Sequence, residues 1–259
     1  MATIGFIGFG NMASAMADGW IAAGTVAPAD MIACAGNFDK LQGRCESRGM
    51  RAARDAAEVI DAADIVVAAV KPHMIQKVLD PVADKLAGKA ILSVAWGWDS
   101  AKWETAFPGS HHLSTVPNTP VSVNEGVIAC EKAHTLTDAE HAQVIDLLNA
   151  LGTVVSLDSS LLWVGGTTAS CAPAFVAMAI EALADAAVKN GIPRADAYRI
   201  VSAMMAGTAK LQLATGQHPG AMKDAVCSPG GATIKGVAAL EQAGMRAAFM
   251  DAIDATLGK

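Results

Sequence analysis

The sequence predicts an α/β protein in which a doubly wound parallel sheet comes first and an all-helical part follows. Up to about Asp158 the chain alternates short aliphatic runs with helical segments, and after it alanine-rich helical segments follow one another. The run Asp64–Val70 is aliphatic over nearly its whole length, which is typical of a strand that a parallel sheet buries on both faces. Since 53% of the 259 residues are hydrophobic and 17% are charged, the chain has enough apolar surface for a large core.

The strands of the predicted sheet are apolar runs bounded by glycine, proline or polar residues. They are Thr3–Ile7, Met31–Cys34, Asp64–Val70, Ala90–Ala95, His112–Val116, Gly126–Cys130 and Thr153–Leu157. A helix over Met12–Ala23, ended by Gly24, is predicted to be the first crossover between parallel strands. We therefore expect the first domain to cover residues 1–157.

Four helices are predicted in the second domain, which we expect to cover residues 158–259. They are Ala174–Asn190, Asp196–Thr215, Thr233–Gln242 and Met245–Leu257. These segments are apolar around much of their circumference, and a domain of about a hundred residues has few places to bury them all. The helices are therefore predicted to pack against a second subunit.

Bulk properties exclude several classes of protein. The net charge is −6 and no long basic run occurs, which argues against a nucleic-acid partner. The stretch Ala172–Val188 carries Glu181 and Asp185, which a bilayer would penalise, so we expect a buried helix of a soluble protein and no membrane partner. No basic leader precedes the first apolar strand, and the five cysteines are scattered and odd in number, so we expect a cytoplasmic protein with reduced thiols. His111 and His112 should point to opposite faces of a strand, so we expect no metal site.

A glycine-rich turn follows the first strand and opens the first helix. Gly8, Gly10 and Ala13 form a GxGxxA pattern, the dinucleotide-binding fingerprint of a Rossmann fold. Gly8 permits the tight turn, Gly10 lets the backbone approach a pyrophosphate, and Ala13 lets the helix pack on the sheet. The N–H groups at the start of the helix, those of Asn11 and Met12, are expected to face the phosphates.

The end of the second strand favours NADPH as the dinucleotide, with NADH as the alternative. An NAD site usually has an acidic residue at that position, whereas the segment Cys34–Asn37 has none. Asp39 comes slightly late, and Lys40 and Arg44 are candidate partners for a 2′-phosphate.

Three further strand ends are candidates for a wall beside the nicotinamide, because ligands of open α/β sheets bind beyond the carboxyl ends of the strands. They are Val70–Pro72, Ala95–Gly97 and Val116–Pro120. Ordinary turn chemistry explains each of them equally well. The indoles of Trp96, Trp98 and Trp103 and the thiols of Cys171 and Cys227 are interpreted as packing groups.

A second glycine-rich turn, Ser228–Thr233, leads into a helix. Its glycines leave room for a ligand, and the free N–H groups of the helix start would bind a carboxylate. The hydroxyl of Thr233 can donate or accept a hydrogen bond. The alternative is that Ser228 or Thr233 caps the helix, and the residues alone leave both interpretations open.

Several motifs together resemble the pyrroline-5-carboxylate reductase family, from the first strand to the last helix. They are GFIGFGNMASAM, AAVKP, VPNTPVSVNEG, EALADAAVKNGIPR and HPGAMKDAVCSPGGATIKG. The resemblance implies NAD(P)H-dependent reduction of 1-pyrroline-5-carboxylate to L-proline. It also implies a Rossmann domain followed by an all-helical dimerisation domain, in a homodimer that often assembles into larger rings such as a decamer.

The resemblance also implies the residues of the site. The substrate carboxylate would lie on the backbone of Ser228, Gly231, Ala232 and Thr233, and the Thr233 hydroxyl would be the catalytic group at the ring nitrogen. The residues expected to bind the cofactor are Gly8, Gly10, Asn11, Met12, Ala69, Lys71, Pro72 and Asn118.

Two departures from the family pattern keep alternatives open. The family's GSGPAY stretch reads SCAPAF at Ser170–Phe175, so the reductase of another cyclic imine is one alternative. Asp55 stands where the family has an asparagine near the cofactor.

Two other classes of protein are further alternatives. A β-hydroxyacid dehydrogenase would need a lysine in the first helix of the second domain, and none occurs between Lys132 and Lys189. A non-catalytic NADP-binding sensor is the third alternative, which the intact SPGGAT block disfavours.

Overall fold

The computed structural model describes residues 2–258 and has the predicted α/β fold followed by helices. The strands are β1 (Ile4–Ile7), β2 (Met31–Cys34), β3 (Arg51–Ala52), β4 (Ile65–Ala68), β5 (Ala90–Ser93), β6 (His111–Pro117), β7 (Gly126–His134) and β8 (Gly152–Leu157). The helices are α1 (Asn11–Ala23), α2 (Phe38–Glu46), α3 (Ala56–Ala62), α4 (Ile75–Leu79), α5 (Ser100–Ala106), α6 (Asp138–Asn149), α7 (Ser159–Lys189), α8 (Arg194–Thr215), α9 (Pro219–Ala225), α10 (Ala232–Gln242) and α11 (Met245–Thr256).

All eight strands form one sheet in the order β3-β2-β1-β4-β5-β6-β7-β8. The first six in this order are parallel, which is the arrangement of doubly wound nucleotide-binding sheets. The predicted strands are confirmed, and β3 is an addition. β3 has only two residues, so the sequence carries no periodic pattern from which it could have been predicted.

The prediction of a wholly parallel sheet is wrong for the last two strands. β7 pairs with β6 in the antiparallel direction, with Thr115 opposite Cys130, and β8 lies parallel to β7. The connection from β6 to β7 spans residues 118–125 and forms a 3₁₀ turn at Thr119–Val123. A parallel crossover needs about a dozen residues or more, so this connection only permits a reversal of the chain.

The core lies on both faces of the sheet, as the aliphatic strands predict. In β4, Ile65 and Val67 pack on the face covered by α1, α2 and α6, whereas Val66 and Ala68 pack on the face covered by α3, α4 and α5. Each of the larger side chains contributes about 1.5–3 kcal/mol through burial. Trp98 and Trp103 also lie in this second core, where they pack against Phe107, so their interpretation as packing groups is confirmed.

The chain forms two compact units, one up to Ser170 and one from Cys171 onward. The predicted domain boundary, between residues 157 and 158, falls just before α7, which begins at Ser159 and continues into the second unit. The boundary at residue 157 stays a prediction.

Helix α7 begins at Ser159, about four turns before the predicted start at Ala174. The prediction was wrong because Pro173 lies inside the helix. A proline in a helix interior lacks the N–H that would bond to the carbonyl four residues earlier, here that of Ala169. That carbonyl instead accepts a 3.0 Å hydrogen bond from Nδ2 of Asn118. A side chain at the end of β6 therefore satisfies the backbone group that Pro173 leaves open.

The apolar surfaces of the second unit are exposed in the single chain. The most apolar stretch of α7 has a mean hydropathy of 1.6, and 6% of this stretch is buried within the chain. By length and composition alone, α7 could cross a membrane. Met178 on α7 is 68% exposed and Leu213 on α8 is 73% exposed. The chain itself therefore does not bury these helices as expected. Their exposed apolar faces are available to a partner surface.

Candidate active site

Gly8 occupies a position that only glycine can fill. Its φ of 92° lies in the region that side chains rarely adopt, and a Cβ there would lie 2.8 Å from the carbonyl carbon and oxygen of Ala69. The N–H of Gly8 donates to the carbonyl of Cys34, at 3.0 Å, and the N–H of Ala69 donates to that of Ile7, at 2.9 Å. The turn therefore lies between the ends of β2 and β4, and the expected cofactor residue Ala69 is directly beside Gly8.

Gly10 caps the start of α1 and has open space in front of it. A Cβ at Gly10 would meet no atom within 4 Å. The helix start has no side-chain cap, so the first-turn N–H groups, including those of Asn11 and Met12, are available to a ligand. Ala13 is buried against the sheet. The arrangement fits a pyrophosphate at the helix start.

A cavity of about 410 Å³ lies beyond the ends of β1, β2 and β4. Gly8, Cys34, Asp55 and Val70 are among the residues that line it. Burial raises the pKa of the Cys34 thiol to about 11, so this residue is uncharged at neutral pH. Cys34 therefore adds no negative charge at the end of β2, and the acidic side chain among the residues that line this cavity is that of Asp55.

A smaller cavity of about 250 Å³ lies between the nucleotide-binding turn and α2. It brings together Gly10, Asn37, Lys40 and Arg44. Asn37 caps α2 by accepting a 2.9 Å hydrogen bond from the N–H of Lys40. The two basic residues that the sequence offered as phosphate partners thus lie at one cavity beside Gly10.

The turn after β4 is held in place by the next strand end. The indole N–H of Trp98 donates a 3.0 Å hydrogen bond to the carbonyl of Pro72, which fixes the Lys71–Pro72 turn against the turn that follows β5. Trp96 in that second turn is 45% exposed, and its ring lies 4.9 Å from that of Trp163. Of Trp96, Trp98 and Trp103, Trp96 is therefore the residue that core packing does not explain.

Asn118 lies at the end of β6, and both polar atoms of its side chain form hydrogen bonds within the protein. Its Oδ1 accepts a 2.8 Å hydrogen bond from the N–H of Val127, and its Nδ2 donates to Ala169. The residue is buried. Its backbone N–H donates to the carbonyl of Val127 at 3.2 Å, and its carbonyl accepts from the N–H of Val121 at 3.3 Å. Its cofactor contact stays a prediction, and the second amide hydrogen is the donor left to make that contact.

The second glycine turn is closed by its own backbone. The N–H of Gly231 donates to the carbonyl of Ser228 at 3.0 Å, and a Cβ at Gly231 would lie 2.4 Å from the Ser228 hydroxyl oxygen. Gly230 has a φ of 69°. Gly231 therefore provides the turn and the space rather than a free donor. Of the predicted set, the backbone N–H groups that remain for a carboxylate are those of Ser228, Ala232 and Thr233.

The alternative in which Ser228 or Thr233 caps α10 is wrong. The residue that caps this helix is Gly231, and within residues 2–258 no side chain forms a capping hydrogen bond at the helix start. Ser228, Ala232 and Thr233 are exposed in the single chain. The start of α10 is therefore an accessible position for a negatively charged group.

The two adjacent histidines have separate environments. His111 Nδ1 pairs with Glu140 at 2.9 Å, whereas His112 is buried and its Nε2 lies 3.1 Å from the Ser100 hydroxyl. Among residues 2–258, no group of three or more histidine, cysteine or acidic side chains is placed to hold a metal ion.

Sequence reasoning missed Arg54 as a site residue. It follows β3, lines the larger cavity, and its guanidinium lies 4.8 Å from the centre of the Phe38 ring. The only signal available was its place after β3, which is too short to be recognised as a strand.

Two family descriptions match the chain. Residues 160–259 match the family described as pyrroline-5-carboxylate reductase dimerisation, and residues 3–97 match the one described as NADP oxidoreductase, coenzyme F420-dependent. The first match covers the exposed apolar helices, so this part of the chain mediates oligomerisation.

Individual relatives match over the whole length. The pyrroline-5-carboxylate reductase of Treponema pallidum is 42% identical, with 98% of each chain covered, and that of Escherichia coli is 38% identical, with 99% of this chain and 96% of the relative covered. The crystal structure of Plasmodium falciparum pyrroline carboxylate reductase with NADP bound superposes with a TM-score of 0.88, at 26% identity and 98% and 95% coverage of the two chains. The chain therefore belongs to the pyrroline-5-carboxylate reductase family.

Proposed function

We infer that this chain reduces 1-pyrroline-5-carboxylate to L-proline with NADPH as the reductant, and that NADH is a weaker alternative. The observation that carries the substrate assignment is the start of α10, where an exposed helix N-terminus without a side-chain cap follows a closed glycine turn. A small planar substrate with one carboxylate fits this position, because the free N–H groups and the helix dipole both favour a negative charge.

We assign the substrate carboxylate to the N–H groups of Ala232 and Thr233, with the Ser228 hydroxyl as a third donor. A Cβ at Gly231 would lie 2.4 Å from the Ser228 hydroxyl oxygen, so glycine at this position leaves that hydroxyl room beside the helix start. The hydroxyl of Thr233 then holds the ring nitrogen of the imine. Because a hydroxyl both donates and accepts, this contact persists when the imine becomes an amine, so Thr233 orients the substrate in both states.

The cofactor is assigned to the first unit, where Gly8, Gly10, Asn11 and Met12 receive the pyrophosphate. When bound, NADPH supplies the hydride that adds to the carbon of the C=N bond. The remaining cofactor residues, Ala69, Lys71, Pro72 and Asn118, lie at the ends of β4 and β6, where the sheet rule places the ligand. A protonated imine is already electrophilic, so the protein supplies orientation and charge complementarity rather than a strong acid and base.

The functional unit is proposed to be a homodimer in the cytoplasm, and a larger ring such as a decamer is the further possibility that solution measurements would decide. The exposed apolar helices of the second unit support a partner of the same kind. Glu181 and Asp185 in α7 favour a protein surface over a bilayer, and the net charge of −6 disfavours nucleic acid.

Steady-state kinetics with 1-pyrroline-5-carboxylate test the function, with L-proline quantified as the product and both cofactors compared. A six-membered cyclic imine carboxylate serves as the matched control substrate. The SCAPAF stretch at Ser170–Phe175 departs from the family pattern, so a reductase of another cyclic imine is the alternative to test. We expect kcat/KM to favour the five-membered ring by about tenfold or more, the usual effect of one methylene in a shaped pocket. Preference for the larger ring would shift the assignment to another imine, and no NADPH oxidation with either substrate would favour the sensor.

A further inference from the structure

Two indoles meet at the carboxyl edge of the sheet, within the first unit. Trp96 follows β5 and Trp163 lies near the start of α7, with ring centres 4.9 Å apart and an interplanar angle of 56°. Trp163 is partly buried against the cluster of Val116, Ala129 and Leu162, which anchors it, whereas Trp96 is 45% exposed. Trp163 therefore supports the indole of Trp96 from one side and leaves much of that indole open to a ligand.

The turn that carries Trp96 is held by the residues around it. Gly97 has a φ of 73°, and its carbonyl accepts a 3.2 Å hydrogen bond from Lys102 Nζ. The indole N–H of Trp98 donates to the carbonyl of Pro72, in the turn after β4. Trp96 is thus presented by a fixed turn, so a ligand that packs on it has little of this segment left to order.

The place of Trp96 in the sheet indicates which half of a dinucleotide it would meet. In doubly wound sheets the dinucleotide binds where the strand order reverses, which is here between β1 and β4, at Gly8 and Ala69. The adenosine half lies at the end of β2, so the nicotinamide half belongs on the side of β4 and β5. The ends of these two strands are neighbours, since the N–H of Val94 donates to the carbonyl of Ala68 at 3.1 Å.

An indole at this position can distinguish the two redox states of the cofactor by their charge. The nicotinamide ring of NADP⁺ carries a positive charge, whereas that of NADPH is neutral. The face of an aromatic ring attracts cations, and tryptophan does so most strongly. The same turn already contains such a contact, because Lys102 Nζ lies 4.6 Å from the centre of the Trp98 ring.

We propose that the exposed indole of Trp96 packs on the nicotinamide ring and binds the oxidised cofactor more tightly than the reduced one. The proposal rests on the proposed function only in that the cofactor is a nicotinamide dinucleotide. Because the attraction grows with positive charge on the ring, it stabilises the transition state of hydride donation more than bound NADPH. It also strengthens the binding of NADP⁺ as a product.

Calorimetric titrations of the full chain with NADP⁺, NADPH and adenosine 2′,5′-bisphosphate test the contact without any imine. The bisphosphate shares the adenosine half of the cofactor and lacks the nicotinamide, so it is the matched control ligand. We expect Trp96→Leu to weaken NADP⁺ by about tenfold, NADPH by about threefold or less, and the bisphosphate not at all. Trp96→Phe should lie between the wild type and the leucine variant, because a phenyl ring attracts a cation less strongly than an indole.

Val155→Ala is the matched control variant, since it removes exposed apolar atoms from β8, three strands away from β5 in the sheet. It should leave all three affinities unchanged. Wild-type affinity of Trp96→Leu for NADP⁺, or an equal loss for the two redox states, would overturn the proposal. A loss that extends to the bisphosphate would also overturn it, because the effect would then act through the fold. The expected selective loss, combined with no formation of proline by the wild type, would overturn the proposed function alone.

Discussion

The side-chain amide nitrogen of Asn118 lies 3.0 Å from the carbonyl oxygen of Ala169 and donates a hydrogen bond to it. In a regular helix this oxygen would accept a hydrogen bond from the backbone N–H of residue 173, but Pro173 has no N–H. The same asparagine accepts a 2.8 Å bond from the N–H of Val127. One buried side chain therefore ties the end of β6 both to β7 and to the part of α7 that Pro173 weakens.

We expect Asn118→Ala to lower the free energy of unfolding by about 1–3 kcal/mol, because the partly buried N–H of Val127 and the partly buried carbonyl of Ala169 both lose their partner. Chemical denaturation measures the change. In a Pro173→Ala background the backbone regains an N–H at this position, which can bond to the Ala169 carbonyl, so the same Asn118 substitution should cost less. Equal costs in the two backgrounds would show that the amide does not compensate for the proline.

Gly10→Asp should abolish most NADPH binding while the fold remains intact. Its side chain has room, since a Cβ meets nothing within 4 Å, but the carboxylate would face the pyrophosphate. The loss should reach about two orders of magnitude, from repulsion together with steric exclusion. A fluorescence titration with NADPH measures it, and thermal unfolding checks the fold.

Gly8→Ala is the contrasting variant, because its Cβ would lie 2.8 Å from the Ala69 carbonyl. It should lower the melting temperature, which Gly10→Asp should not. Unchanged NADPH binding by Gly10→Asp would show that the cofactor does not use this turn.

Thr233→Ala should lower kcat/KM for 1-pyrroline-5-carboxylate by about one to three orders of magnitude, the usual range for one well-placed group. The NADPH affinity should barely change. Thr233→Ser keeps the hydroxyl and serves as the matched control, with activity close to wild type. Full activity of the alanine variant would remove Thr233 from the catalytic role, and a large loss of NADPH affinity would move this turn to the cofactor site.

The protein should have at least twice the mass of one chain in solution. Light scattering at micromolar concentration measures this, and it also distinguishes a dimer from a larger ring. Met178→Asp places a charge on an exposed apolar position of α7, so it should weaken the assembly, whereas Lys85→Gln in the first unit should not. A monomeric wild-type protein would contradict the proposed dimer.

Stability should fall as the pH drops below 6.5, because of His112. Burial lowers the pKa of this imidazole from 6.5, so below pH 6.5 the unfolded chain binds a proton more readily than the folded one. The stabilisation is thus present above pH 6.5 and is lost as the pH falls through the lower pKa of the folded state. His112→Gln should flatten the dependence of the unfolding midpoint on pH in this range. His134, whose pKa burial also lowers, accounts for part of what remains, and an unchanged slope would exclude a contribution from His112.

The sequence alone determined the parts of this protein that depend on local pattern. Aliphatic runs located seven of the eight strands that residues 2–258 form. The GxGxxA turn located Gly8, a position where only glycine fits. The SPGGAT block led to the start of α10, and the motifs together gave the family. These features are readable because side-chain periodicity and the steric demands of tight turns act over a few neighbouring residues.

The tertiary structure decided what depends on residues that are distant in the chain. The reversal of β7 and the extent of α7 followed from a short connection and from Asn118 meeting Ala169 across 51 positions of sequence. The closed Gly231 turn decided between a capped and an open helix start, and the fold brought Lys40 and Arg44 beside Gly10. Hydrogen-bond satisfaction and cavity shape are properties of the packed chain, so no local pattern in the sequence encodes them.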